Sequence, residues 1–305
     1  MKSLTVAVPA TITNLGAGFD SLGLAVNLFN RFTAEPAPRG LEIDLDGEGS
    51  SFLPRNRQNL VYRSMDFLFR KAGRRPQGLY LRFENNIPVG KGLGSSASCV
   101  VGGLYLANAL LNWRFKEEAL LKFAIDLEGH PDNVLPALIG GFTVLALDGG
   151  EAAFSKNVLP RWFHAVLLLP EGEIRTKRAR QVLPRSVPFK DAVFNLSRSA
   201  LTVAALLNQD MRLLRVGLQD RLHESYRRRL FPKLTRYDQL FRRVAPNGVA
   251  VSGSGPTLVS FVEGEREAHR LAGTLSGMLR RRKLKGGVLV VRGVSNGARV
   301  EQAVR

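Results

Sequence analysis

A glycine-rich segment at residues 88–97 carries the strongest chemical signal in the sequence. It reads Pro-Val-Gly-Lys-Gly-Leu-Gly-Ser-Ser-Ala and lies between a predicted strand and a predicted helix. Three glycines at alternate positions allow the backbone to approach a ligand closely. The helix that follows begins at Ser95 or Ser96, so its free N–H groups and the positive end of its dipole face the loop. This combination is typical of an anion site, and phosphate is its usual occupant.

Side chains in the same segment add to this signal. Lys91 could meet phosphate oxygens, and the hydroxyl groups of Ser95 and Ser96 could bind phosphate or Mg²⁺. The segment does not match the P-loop, nor G-x-G-x-x-G, because Ser95 stands in place of the third glycine. A plain connection between a strand and a helix also favours Gly and Ser, so the glycines alone leave both interpretations open.

Hydrophobic periodicity predicts the elements that position this loop. In the first half, we expect strands over residues 4–8, 41–45, 79–83 and 142–147, and helices over 59–70, 95–111 and 117–127. In the second half, we expect strands over 164–169, 248–252, 257–262 and 287–291, and helices over 192–207, 211–219 and 265–279. Pro9 should end the first strand, and residues 10–20 should form a loop of small residues. Strands and helices mix without a strict βαβ rhythm, which favours an α+β fold.

Length and composition limit the class of protein. The chain has 305 residues, and at about 150 residues per domain we expect two domains. We place them at residues 1–150 and 151–305, because Asp148-Gly149-Gly150 closes a predicted strand. The single cysteine, Cys99, excludes an intrachain disulfide framework and a cysteine-cluster metal site. No apolar run reaches the ~18 residues of a membrane span, and no signal peptide is visible, so we expect a cytoplasmic protein.

The formal net charge of +18 is the unusual number in the composition. A strongly basic chain could bind nucleic acid, act on anionic substrates, or simply carry an arginine-rich solvated surface. The densest basic stretches, residues 227–229 and 280–285, are expected to be exposed helix ends or turns. No aromatic RNA-binding motif or Cys/His finger accompanies them, so the sequence does not favour a nucleic-acid partner.

Several segments together resemble the GHMP kinase family. Residues 88–97 resemble its signature loop, and residues 251–257 (Val-Ser-Gly-Ser-Gly-Pro-Thr) resemble its C-terminal glycine motif. Residues 9–20 and 128–137 resemble the branch of that family that phosphorylates homoserine, and residues 297–301 resemble its usual ending. The matches appear in the right order and cover essentially the whole chain.

This resemblance implies a fold and an activity. The family has an N-terminal α+β domain with a left-handed βαβ crossover, joined to a ferredoxin-like C-terminal domain. ATP and the acceptor meet in the cleft between them. For the homoserine branch, the implied reaction is Mg²⁺-dependent transfer of phosphate from ATP to the hydroxyl of L-homoserine, on the route to threonine. A homodimer is expected, since symmetric dimers are the commonest oligomers.

The resemblance also implies roles for particular residues. The loop that wraps the ATP phosphates would comprise Pro88, Gly90, Lys91, Gly92, Leu93, Gly94, Ser95 and Ser96. Ser96 and Glu128 would hold Mg²⁺, which prefers one or two carboxylates together with phosphates and water. Asn59 would mark the start of the adenine pocket, although residues 60 and 61 are as well explained by core packing.

The acceptor would be recognised as a small zwitterion. By resemblance, Arg180 and Arg221 would clamp its carboxylate. Arginine suits that role because its planar guanidinium binds a carboxylate through two parallel hydrogen bonds. Asp20 would bind the ammonium group. The hydroxyl end would be oriented by Asn14, His130 and Asn133.

Asn133 distinguishes this sequence from mevalonate kinase and similar relatives, which place an aspartate there. Asparagine does not accept a proton at neutral pH, which fits a branch without a protein base, although Asp132 or Asp20 remain open as bases.

Two other functions also remain open: a GHMP kinase for another small alcohol, and a catalytically silent relative that binds nucleic acid. The segments at 14–20 and 130–133 argue against the first, and the intact Ser96 and Glu128 argue against the second.

Overall fold

Two β-sheets organise the chain, and helices cover them. The structure is a computed structural model that describes residues 3–304. The strands are β1 (Ser3–Thr13), β2 (Leu22–Ala37), β3 (Gly40–Gly47), β4 (Gly78–Asn85), β5 (Phe142–Asp148), β6 (Glu151–Asn157), β7 (Phe163–Pro170), β8 (Ala250–Val251), β9 (Leu258–Glu263), β10 (Gly286–Arg292) and β11 (Arg299–Val304). The helices are α1 (Leu60–Ala72), α2 (Ser95–Leu110), α3 (Glu117–Glu128), α4 (Pro131–Ile139), α5 (Thr176–Gln181), α6 (Phe189–Leu207), α7 (Leu214–Gly217), α8 (Glu224–Arg228), α9 (Leu234–Arg242) and α10 (Glu265–Arg281), with a 3-10 turn at Met211–Leu213.

The first sheet has the strand order β11-β1-β2-β4-β3, with β5 paired to β2 and β6 paired to β5. Its β3–β4 pair is parallel and is joined by α1, while its other pairs are antiparallel. Helix α2 is apolar on nearly all sides and lies buried between this sheet, α1 and α3. The sheet and α2 therefore form the support on which the glycine-rich loop sits. The left-handed crossover implied by the resemblance stays a prediction.

The second sheet is antiparallel, with the order β10-β7-β9-β8. Numbered along the chain, this is 4-1-3-2, with helices between the first and second strands and between the third and fourth. That is the β-α-β-β-α-β pattern of a ferredoxin-like fold, which confirms the expectation for the C-terminal part. Helices α9 and α10 pack on this sheet through a core that includes Phe241, Leu271 and Leu275.

The predicted elements correspond to observed ones, but two predictions near the N-terminus were wrong. Pro9 does not end the first strand, and residues 10–13 are not loop, because β1 runs to Thr13. The pairing of β1 with β2 shifts register between Pro9 and Ala10. A bulge of this kind accommodates a proline that has no N–H to donate. Strand β2, helix α4, strand β6, the short helices α5, α8 and α9, and strand β11 were not predicted.

The chain passes from the first sheet to the second after the β5–β6 hairpin. Residues 149 and 150 form the turn of that hairpin, so β6 continues the first sheet, and the second sheet begins at β7. The last strand, β11, then returns to pair with β1. The division at residue 150 remains a prediction. Among residues 3–304, no helix is both long enough and apolar enough to cross a membrane.

Candidate active site

A cavity between the two sheets gathers side chains and backbone from both. The residues that line it are Asn14, Asp20, Pro88, Gly90, Gly92, Gly94, Ser95, Ser96, Glu128, His130, Asp132, Asn133, Thr176, Arg180, Arg227, Gly253 and Ser254. The first sheet and its helices supply residues up to 133, and the ferredoxin-like part supplies the rest. Most residues predicted for the site from the sequence therefore lie around one cavity.

The glycine-rich loop is held by its carbonyl groups. The carbonyls of residues 90 to 93 each accept a hydrogen bond from a distant segment. In chain order, the donors are Ile174 N at 3.1 Å, Thr257 N at 3.3 Å, Ser252 Oγ at 2.7 Å and Thr11 N at 3.0 Å. In the described part of the chain, none of the N–H groups of residues 90–94 donates such a bond. The loop thus keeps its donors available for an anion.

Close approach of the backbone explains the glycines. Gly90, Gly92 and Gly94 have φ values of +69°, +74° and +72°, a left-handed conformation that residues with a Cβ adopt at a cost. A Cβ on Gly92 would lie 2.2 Å from the carbonyl oxygen of Ser252, and one on Gly94 would lie 2.1 Å from Thr11 Oγ1. Larger residues at these two positions would therefore push the loop off its supports.

Three of the residues predicted to bind the nucleotide do not line the cavity. Lys91 Nζ donates hydrogen bonds to the carbonyls of Pro170 and Gly172, at the end of β7. Leu93 is buried in the core. Asn59 caps helix α1, since its Oδ1 accepts a hydrogen bond from the N–H of residue 61. The nucleotide contacts expected of these residues stay predictions.

The proposed metal ligands are in contact. Ser96, in the first turn of α2, donates a hydrogen bond from Oγ to Oε2 of Glu128, at the end of α3, over 2.8 Å. Burial raises the pKa of Glu128, and the positive charge of His130 only partly opposes that effect. Within residues 3–304, no cluster of three or more His, Cys, Asp or Glu side chains could hold a metal ion unaided. One carboxylate and one hydroxyl fit Mg²⁺, which takes its remaining ligands from phosphates and water.

A buried polar cluster lies at the start of α4. His130 Nδ1 is 3.0 Å from Oδ1 of Asp132. Burial alone would lower the pKa of His130 and raise that of Asp132, but the contact between the two, with smaller contributions from other neighbouring groups, outweighs burial. The pKa of His130 is therefore raised and that of Asp132 lowered. Asn133 accepts a hydrogen bond at Oδ1 from Thr11 Oγ1 over 2.7 Å, which fixes its amide.

Asp20 and Arg180 both line the cavity and form an ion pair with each other. Their two parallel hydrogen bonds measure 2.8 and 2.9 Å, and about a third of each side chain is exposed. Asn14 connects the same region to the C-terminal glycine motif, since its Nδ2 donates to the carbonyl of Gly253 over 2.9 Å. The N–H of Asp20 donates to Asn14 Oδ1 over 3.1 Å. These bonds bring together residues from both parts of the chain.

Arginines 221 and 227 occupy different environments. Arg221 does not line the cavity: it forms an ion pair with Asp191 at 3.0 Å, and its guanidinium lies over the ring of Phe194. Arg227 does line it and is only 3% exposed, so the expectation of an exposed helix end at residues 227–229 was wrong for Arg227. Helix α8 does end at Arg228, and Arg229 is exposed. Arg227 lies one helical turn after His223, the N-cap of α8, and its side chain is on the buried face of that helix. The carboxylate contact predicted for Arg221 stays a prediction.

Four cavity residues were given no role in the prediction from the sequence: Thr176, Arg227, Gly253 and Ser254. Asp132, which also lines the cavity, was predicted only as a possible base. Signals for some of them existed. Thr176 stands four residues before Arg180 on α5, so both face the same side. Gly253 and Ser254 lie inside the recognised glycine motif. Arg227 gave no local signal, because it stands in a run of three arginines.

Comparison with known proteins agrees with this geometry. The family models described as GHMP kinases N terminal domain and GHMP kinases C terminal match residues 59–141 and 202–280. The chain belongs to the GHMP kinase family.

Within that family it groups with the homoserine kinases. It is 40% identical to the homoserine kinase of Petrotoga mobilis over 262 residues, which cover 86% of this chain and 85% of that protein. It is 42% identical to the homoserine kinase of Halothermothrix orenii, covering 85% and 84% of the two chains. The crystal structure of homoserine kinase from Cytophaga hutchinsonii superposes with a TM-score of 0.87 at 28% identity, over 98% of each chain.

Proposed function

We propose that this protein transfers phosphate from ATP to the hydroxyl of L-homoserine, making O-phospho-L-homoserine on the route to threonine. The observation that carries the proposal is the pairing of two sites in one cavity. A loop with free N–H groups and a hydroxyl–carboxylate pair suits phosphates and Mg²⁺. Opposite it lie charged groups of both signs that suit a zwitterion.

The donor end of the cavity suits the triphosphate of ATP. The free N–H groups of residues 90–94 and the N-terminus of α2 favour negative charge. Ser96 and Glu128 would hold Mg²⁺, and a bound Mg²⁺ neutralises charge on the phosphates. Phosphoryl transfer depends mainly on such positioning and charge neutralisation. This end of the site therefore needs no covalent chemistry from the protein.

The acceptor end suits a carboxylate beside an ammonium group. Arg227 is buried, and within residues 3–304 it has no carboxylate within 4.0 Å. Its Nε atom is also buried without a hydrogen-bond partner in the described residues. Burial lowers the pKa of Arg227 to about 10, so it is still a cation at neutral pH. A buried cation of this kind is costly without an anion, and a substrate carboxylate would supply one.

Asp20 and Arg180 would complete the recognition of the zwitterion. Their side chains neutralise one another through two hydrogen bonds. A ligand with both an ammonium and a carboxylate group could interact with both residues at once. A ligand with only one of those charges would leave the other residue without compensation. This supports an amino acid as the acceptor over an uncharged alcohol.

The arrangement supports transfer without a strong protein base. The lowered pKa of Asp132 makes it a poor proton acceptor, and both oxygens of Asp20 accept hydrogen bonds from Arg180. Asn133 does not accept a proton at neutral pH. A loose transition state places little charge on the attacking oxygen, so early removal of its proton is not essential.

A coupled assay of ADP release tests the proposal. The purified chain is offered ATP, Mg²⁺ and, separately, homoserine, mevalonate, galactose and shikimate. We expect turnover with homoserine and little with the others. Activity only on an alcohol that is not an amino acid would overturn the assignment of homoserine. The homodimer and the cytoplasmic location predicted from the sequence remain predictions.

A further inference from the structure

A buried histidine lies behind the cavity and contacts two parts of it. His223 is fully buried, with 0% exposure, and does not line the cavity itself. Its Nε2 lies 2.8 Å from the carbonyl oxygen of Gly16, and its Nδ1 lies 3.2 Å from Nη1 of Arg227. Its ring stacks on Phe19 at a centroid distance of 5.1 Å. His223 therefore bridges the loop that presents Asp20 and the buried arginine.

The partners of His223 determine its tautomer. Nε2 faces the Gly16 carbonyl and, at 3.5 Å, the Asp220 carboxylate, which both only accept hydrogen bonds, so Nε2 carries a proton. Nδ1 faces the guanidinium of Arg227, which only donates, so Nδ1 offers a lone pair. The ring is then neutral, with Nε2 donating and Nδ1 accepting. One side chain thus uses both of its nitrogens to join two segments.

The segment on the Nε2 side requires such support. In the loop of residues 14–20, Asn14, Leu15 and Asp20 have φ values of +69°, +46° and +56°. Residues with a Cβ adopt this left-handed conformation at a cost, and the surrounding structure must compensate for it. His223 binds the carbonyl of Gly16 in the middle of this loop.

The segment on the Nδ1 side requires support for a different reason. Arg227 Nη1 donates to the carbonyl of Gly253 over 2.7 Å and to His223 Nδ1. Without His223, the carbonyl of Gly253 would be the one acceptor among residues 3–304 that fixes the direction of this guanidinium. The direction matters, because the planar fork binds a carboxylate well only in a defined orientation.

We propose that His223 is a positioning residue that holds Arg227 and the 14–20 loop in a fixed position relative to each other. This inference rests on the proposed function, in which Arg227 meets the carboxylate of the acceptor and the loop presents Asn14 and Asp20. The bond to Arg227 governs how tightly the acceptor binds. The bond to Gly16 governs how well the acceptor is oriented.

Two substitutions separate the two bonds. In His223→Gln, the side-chain amide nitrogen can reach the position of Nε2 and donate to Gly16, but no acceptor faces Arg227. In His223→Asn, the side-chain oxygen can take the position of Nδ1 and accept from Arg227, but nothing reaches Gly16. His164→Asn is a matched control, because His164 is also buried and bonds a backbone carbonyl, that of Trp162, away from the cavity.

The expected results differ between the variants. His223→Gln should raise the KM for homoserine by about 10-fold, the value of a hydrogen bond to a charged group, with little change in kcat. His223→Asn should lower kcat, by up to about 100-fold, because a misplaced acceptor reacts slowly. Both variants should leave the KM for ATP unchanged. His164→Asn should leave all three constants at their wild-type values.

Two kinetic results would overturn the inference. One is a folded His223→Gln variant with the wild-type KM for homoserine, and the other is an equal rise in the KM of both substrates. If the variants do not fold, the ¹⁵N NMR pattern of the histidine rings in the wild-type protein still decides. A charged His223, or one protonated at Nδ1, contradicts the inference. Wild-type protein that is inactive on homoserine would refute the proposed function instead, which keeps the two failures distinct.

Discussion

Replacing Arg227 by methionine should weaken the binding of homoserine far more than the same change at Arg221. Methionine keeps much of the length and apolar bulk of arginine but has no charge and no donors. Arg227 is 3% exposed and lines the cavity, whereas the side chain of Arg221 is 48% exposed and pairs with Asp191 outside it. The two variants therefore compare a buried and a surface arginine in the same chain.

The buried position of Arg227 sets the magnitude. A hydrogen bond between charged groups contributes about 1.5–3 kcal/mol, so Arg227→Met should raise the KM for homoserine by roughly 10- to 150-fold. An exposed ion pair contributes about 0–1 kcal/mol, so Arg221→Met should change the KM for homoserine by less than about 5-fold. Arg227→Lys should fall between Arg227→Met and wild type, because lysine keeps the charge and loses the planar fork.

Initial rates of ADP release measure these effects, with homoserine varied at saturating ATP and ATP varied at saturating homoserine. Thermal denaturation of each variant shows whether the protein is folded under the assay conditions. A large rise in the KM for homoserine in Arg221→Met, with little change in Arg227→Met, would refute the reasoning. It would assign the carboxylate contact to Arg221, as the sequence resemblance predicts.

Glu128, Lys91 and Cys99 allow three further tests of the site and its surroundings. Glu128→Gln should keep the fold but lower kcat by about 100-fold or more, since the metal would lose its anionic ligand, and near-normal kcat would remove Glu128 from the site. Lys91→Met should lower the melting temperature, because two carbonyls lose a charged donor, whereas a large loss of kcat at an unchanged melting temperature would indicate a phosphate contact. Burial raises the pKa of Cys99 to about 12 from 9.0, so a thiol reagent at pH 8 should react more slowly with native than with unfolded protein, and equal rates would contradict a raised pKa.

Much of the donor end of the site was predictable from the sequence because its signals are local. The alternating glycines and the following apolar helix lie within one segment, and their conformational requirements belong to the residues themselves. The contact of Ser96 with Glu128 was implied by two motifs on different helices. What the sequence did not predict was the support for the loop, because Ser252, Ile174 and Thr257 reach it only after the second sheet packs against the first.

The acceptor end shows the opposite case. Arg221 and Arg227 are the same residue type in the same arginine-rich stretch, and nothing in the local pattern separates them. Burial separates them, and burial depends on how helix α8 lies against the 14–20 loop through His223. Helix α8 was also missed, because its five residues are too few to show a helical period. Helix α9 was missed although its buried residues Leu234, Tyr237 and Phe241 stand at helical spacing.

By itself, the sequence predicted the α+β class and the phosphate-type loop, and its motifs carried the resemblance to a kinase family, which in turn implied the ferredoxin-like second part. Those features depend on local periodicity, on glycine conformations and on motifs that each lie within a short segment. The tertiary structure alone decided that strand β1 runs through Pro9, and that Arg227 and not Arg221 faces the cavity. It also decided that Lys91 donates hydrogen bonds to carbonyls at the end of β7. Each of these depends on contacts between residues far apart in the chain, and such contacts form only when the two sheets come together.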